Sequence, residues 1–163
     1  MDWERKVISI EKRLCIIWAV GAIVIGLLVY VVDRHGQVSF LPRYPIYPQT
    51  LSIFGAFGGV LPTLTHTFIF IVISSCVWAT TIRHIYITCI FWVVVEFSME
   101  IIQHSNITIY LKSLSLAQGT VGEPLYLFSL YGVFSIGDLI AVIVGAVLAF
   151  IVIMKNSKQG GLK

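Results

Sequence analysis

The chain has 163 residues, 58% of them hydrophobic and only 12% charged, with mean hydropathy +0.93. Soluble domains are nearer about 45–50% apolar and about 25% charged, so a soluble globular enzyme, a nucleic-acid reader and a disordered tail are excluded. Three cysteines are too few for a disulfide-stapled secreted scaffold. Eleven Lys and Arg stand against eight Asp and Glu, a net +3 whose distribution along the chain matters more than its size.

A helix needs about 20 apolar residues to cross the hydrocarbon core. The first such run, Leu14 to Val32, is uncharged and lies between Arg13 and Asp33. It is longer than a signal-peptide core, and no small-residue cleavage site precedes Asp33, so it reads as a retained anchor. Further spans are expected at 61–81, 85–103 and 136–154. The fold class is therefore an all-α integral membrane bundle of four transmembrane helices in a single membrane domain, residues 1–163. No internal repeat is visible.

Positive charge orients the spans. Arg5, Lys6, Lys12 and Arg13 precede the first, Arg83 sits in the turn between the second and third, and Lys155, Lys158 and Lys163 follow the fourth. With four spans these eight fall on one side, leaving Arg34, Arg43 and Lys112 on the other. The asymmetry predicts both termini in the cytoplasm. The two connections on the opposite side, 33–60 and 104–135, are long and rich in aromatic residues, which predicts interfacial loops. The apolar stretch from Pro124 to Met154 is about 46 Å long if helical, too long for one untilted span. A break near Gly132, Ser135 and Gly137 would leave Leu125–Tyr131 as an interfacial segment.

Ionisable groups within spans are costly and usually face a bundle interior. Four occur here: His66, Glu96, Glu100 and Asp138. On the third helix Glu96, Glu100, Gln103 and His104 share an arc of about 100°, with Glu96 about 12 Å deeper than His104. A carboxylate at that depth needs either a proton or a buried donor. His66 lies near the outer end of the second span, with Thr63, Thr67 and Ser74 on its side. Asp138 opens the fourth span, and its face continues through Ala141, Gly145 and Ala149, a small-residue seam that allows close helix approach. The candidate polar cluster is therefore His66, Glu96, Glu100, Gln103, His104 and Asp138. The structural alternative is that these groups only tie helix ends together, with Asp138 placed where an N-cap would sit.

His66, Glu100, His104 and Asp138 are acceptable nitrogen and oxygen ligands, but no H-E-x-x-H pattern is present, and neither a metal nor another cofactor is expected. Cys15, Cys76 and Cys89 read as packing residues. His35 and His84 read as solvated loop residues, and Asn106-Ile107-Thr108 matches a glycosylation sequon.

His66 opening one span, Glu100-Ile101-Ile102-Gln103 closing the next, and Phe134-Ser135-Ile136-Gly137-Asp138 leading into a span with Gly145 seven residues on resemble the VanZ-like membrane proteins over roughly residues 60–154. The resemblance implies a small bundle of four or five helices. The founding type is associated with low-level teicoplanin resistance, which is not carried over to this chain. Two positions depart from the pattern: Gly132, where the family often has a basic residue, and Val142, where it often has asparagine.

Three functions are compatible with the residues. The first is a site near the outer interface for a lipid-type or cell-envelope amphiphile, with its head at His66, Glu100 and Asp138. If that site is enzymatic, Glu100 or His66 is the base and Asp138 orients it. The second is a non-enzymatic accessory or assembly protein of a membrane complex. The third is a proton-coupled carrier relaying through Glu96 and Glu100. The expected partners are membrane lipids and either a membrane-protein partner or a second copy of the chain, with no nucleic acid.

Overall fold

The computed structural model of the protein describes residues 8–32, 53–55, 57–107, 109, 129 and 134–159. Four helices dominate it: α1 (Lys12–Val32), α2 (Phe57–Trp78), α3 (Ile82–Ile102) and α4 (Ile136–Lys155). Each is long and apolar enough to cross a membrane, and in lipid a helix satisfies every backbone polar group within the segment. The protein is an all-α membrane bundle. Of the two predicted loops, 33–60 and 104–135, residues 33–52, 56, 108, 110–128 and 130–133 lie outside the described residues, and with them His35, Gly132 and the Leu125–Tyr131 segment apart from Ser129.

The second and third spans are shifted from the sequence expectation. The second helix runs from Phe57 to Trp78 and not from 61 to 81, because it continues upstream through Gly58 and Gly59 and accommodates Pro62 in its second turn. Proline there removes one backbone donor, and the Pro62 carbonyl accepts from the Thr65 hydroxyl at 2.9 Å. At the other end Thr81 belongs to the next helix. It is the N-cap of α3, its side chain accepting from the His84 N–H at 3.4 Å, so Arg83 and His84 lie in the first turn of α3 and not in a loop. His84 is half-buried. Its Nδ1 lies 3.1 Å from the Thr80 hydroxyl and its ring 5.0 Å from that of Trp78.

Helix α2 is central and packs against α1, α3 and α4, most extensively against α4. The α2–α4 seam is built on small residues. Ala141, Gly145 and Ala149 are all buried, and a Cβ at Gly145 would stand 2.7 Å from the Leu64 carbonyl oxygen and 3.2 Å from Thr67 Cβ. Only a glycine permits backbone approach this close. Gly26 of α1 plays a similar part, with Thr65 Oγ1 3.1 Å from where its Cβ would lie. The core continues through Ile71, Val72, Ile85 and Ile153. Aromatic contacts brace the third helix: Phe70 stacks on Trp92 at 4.6 Å, and Tyr86 meets Phe150 at 5.0 Å.

The segments just before α1 and just after α4 meet in a short antiparallel ladder that the sequence does not predict. Strand β1 (Ile8–Ile10) pairs with β2 (Ser157–Gln159), with Ser9 opposite Lys158. The Glu11 N–H also donates to the Asn156 carbonyl at 3.1 Å. The start of α1 and the finish of α4 are thereby held at one end of the bundle. The starts of α2 and α4 and the finish of α3 lie at the other.

Candidate functional site

The polar groups at the end remote from the ladder converge where α3 finishes and α4 begins. Helix α4 is capped by Ser135, whose hydroxyl accepts from the Asp138 N–H at 3.3 Å. Asp138 is therefore the third helical residue and not the cap itself. In an ordinary capping box the side chain at that third position reaches back to the cap residue's own N–H. Here the two jobs are split between helices. The Ser135 N–H donates across to Glu100 Oε2 of α3 at 3.4 Å. The Asp138 carboxylate is thus left to accept from the Thr63 hydroxyl of α2 at 2.8 Å. One serine and two carboxylates join three helices at a single point.

Two features of the backbone support this arrangement. The α4 N-terminus carries partial positive charge that favours nearby carboxylates. Thr63 is fixed in turn because its carbonyl accepts from the buried Thr67 hydroxyl at 3.0 Å. Glu100 is 9% exposed and lies within electrostatic reach of both Asp138 and Glu96. Glu96 is half-buried, one turn deeper on the same helix face. Gln103 is the C-cap of α3, its N–H donating to the Glu100 carbonyl at 3.1 Å. The His104 ring sits edge-on to Phe134 at 5.2 Å, one residue before the Ser135 cap.

The structure thus gathers Glu100, Asp138, Gln103 and His104 at the α3–α4 junction, with Glu96 below them. His66 stands apart. It is exposed on α2, with its ring 6.3 Å from that of Phe70, while Thr63, one turn before it, faces Asp138. A helical step of three residues turns a side chain about 60°, enough to put threonine in the cluster and histidine on its margin. Among the described residues no group of three or more His, Cys, Asp or Glu side chains is placed to hold a metal ion.

Sequence reasoning undervalued Ser135 and Thr63. The Ser-x-x-Asp spacing before an apolar run is a helix-start signal that identifies Ser135. No sequence signal identifies Thr63 as the partner of Asp138. The cysteines pack as expected, with Cys15 of α1 and Cys76 of α2 lining the same groove between those helices.

Compared with known proteins, the chain matches no family model, no curated protein and no solved structure.

Proposed function

We propose that this integral membrane protein, VanZ-like in its motifs, binds the polar head of a lipid-type or cell-envelope amphiphile at the Glu100–Asp138 junction. The observation that carries the reading is the placement of two carboxylates from different helices at one helix-end junction, a costly arrangement at the edge of a bilayer. An amine-bearing or hydroxyl-rich head is the chemistry that two carboxylates and two hydroxyls recognise. The tail would lie along the apolar helix surfaces. On the charge asymmetry of the whole chain, this junction faces outward from a bacterial inner membrane and both termini are cytoplasmic.

One observation favours a second reading, the accessory or assembly protein. The same hydrogen bonds that define the junction also cap α4 and bind it to α2 and α3, which is sufficient work for a scaffold.

Purified wild type, Glu100→Gln and Asp138→Asn, each incubated with total polar-lipid extract of the host membrane, separate the two by native mass spectrometry. Both substitutions keep size and much of the hydrogen-bonding capacity while removing charge. The binding reading expects one retained amphiphile in the wild type and its loss in both variants at near-unchanged melting temperature. Equal retention in all three proteins would leave the scaffold reading in front.

A further inference from the structure

At the opposite end of the bundle a groove of about 410 Å³ runs between α1 and α2. Its floor is made by the small buried side chains Cys15 and Ala19 with Val72, and one wall by Ile73. Lys12, the first residue of α1, stands at its mouth, exposed and within electrostatic reach of Cys76 in the groove. From Lys12 to Ala19 the groove descends about 10 Å into the membrane along the helix axis. That is the direction in which acyl chains lie.

We infer that this groove seats one acyl chain of an anionic phospholipid whose phosphate rests on the Lys12 ammonium. Two observations select the occupant. The lining is apolar except for the thiols, so it takes hydrocarbon, and the group at its mouth is a cation. The surroundings agree in sign, since Arg13, Arg83 and Lys155 lie at the same end and Glu11 is the one carboxylate described there. A basic pocket between spans at the membrane surface suits a phosphate headgroup. A second groove of about 550 Å³, between α2 and α3, makes the contrast. It is lined by residues such as Ser74, Trp78, Phe91 and Trp92, with no charged side chain, and so offers a lipid no headgroup anchor.

The test uses the full-length protein in mild detergent with equal amounts of phosphatidylglycerol and phosphatidylcholine of matched chains, read by native mass spectrometry. Wild type retains phosphatidylglycerol in preference by about fivefold, the contribution of one lysine near an anionic headgroup. Lys12→Gln abolishes the preference, and Arg13→Gln, whose side chain does not line the groove, keeps it. Val77→Trp fills the groove from a position 78% exposed, so folding is spared while retention of both lipids falls. Equal retention of the two lipids by the wild type overturns the inference. So does an equal loss of preference in Lys12→Gln and Arg13→Gln, which indicates diffuse surface charge, and so does unchanged retention in Val77→Trp.

Discussion

At the end of the bundle that carries the β1–β2 ladder, the described charges are Glu11 and five cations, Lys12, Arg13, Arg83, Lys155 and Lys158. At the other end the charged groups are carboxylates, Asp138 and Glu100 with Glu96 a turn deeper, and no Lys or Arg is among the residues described there. The difference extends to what these groups touch. Lys12, Arg13, Arg83 and Lys155 are exposed, where a charge costs little and binds loosely. Glu100 and Asp138 are engaged across helix boundaries by Ser135 and Thr63. The cationic end supplies net charge, which orients a membrane protein without demanding geometry. The acidic end supplies geometry. The α2–α4 seam centred on Gly145 connects them.

Substitutions can break this contrast at graded cost. The largest effect is expected in the seam that both ends share. Gly145→Leu drives a side chain into the Leu64 carbonyl and should cost about 3 kcal/mol, the upper part of the usual overpacking range, read as a fall in melting temperature in detergent. Gly137→Ala should cost less, because its nearest obstacle is a methyl of Val60, the end of a side chain and not backbone. Wild-type stability in Gly145→Leu would mean that α2 and α4 do not approach as described.

Next come the cross-helix bonds. Asp138→Ala strands the Thr63 hydroxyl and should destabilise by about 1–3 kcal/mol. Arg83→Ala, at the exposed cationic end, should stay within about 0.5 kcal/mol of wild type. Similar losses in the two variants would erase the distinction between the ends.

Below the loss expected in Asp138→Ala come two serines, whose effects should differ in sign. Ser135→Ala removes the α4 cap and should cost about 1 kcal/mol. Ser75 of α2 is fully buried, and its hydroxyl has no hydrogen-bond partner among the described residues. Ser75→Ala removes a desolvated group that gains nothing in return, and should raise stability by up to about 1 kcal/mol. Paired thermal melts of the two variants check both directions at once.

The spans were legible because hydropathy over some twenty residues is a strong signal, and 136–154 against the observed Ile136–Lys155 shows how closely it reads. Where charge alone marked a boundary it misled. Arg83 resembles a turn residue until Thr81 is recognised as a cap, which places the arginine inside α3. Helical periodicity places Glu96 and Glu100 on one face of α3, but the helix ends at Ile102, so Gln103 is its cap and His104 lies beyond it, and the partners of the acids were not readable. Any threonine on α2 can face α4, and only the rotation of the packed helix selects Thr63 and leaves His66 at the margin. The β1–β2 ladder was invisible for another reason. Three residues at each end carry too little alternation to announce a strand, and the contact spans nearly the whole chain.

The central proposal is that the two ends face different compartments, the carboxylates outward and the cations inward. A cysteine-free background, with Cys15, Cys76 and Cys89 replaced by Ala or Ser, gives single-cysteine variants Ser105→Cys just beyond α3 and Glu11→Cys just before α1, both at exposed positions. In intact cells a membrane-impermeant maleimide should label position 105 and reach position 11 only after permeabilisation. Labelling of position 11 in intact cells with protection of position 105 would reverse the orientation and place the Glu100–Asp138 junction on the cytoplasmic side.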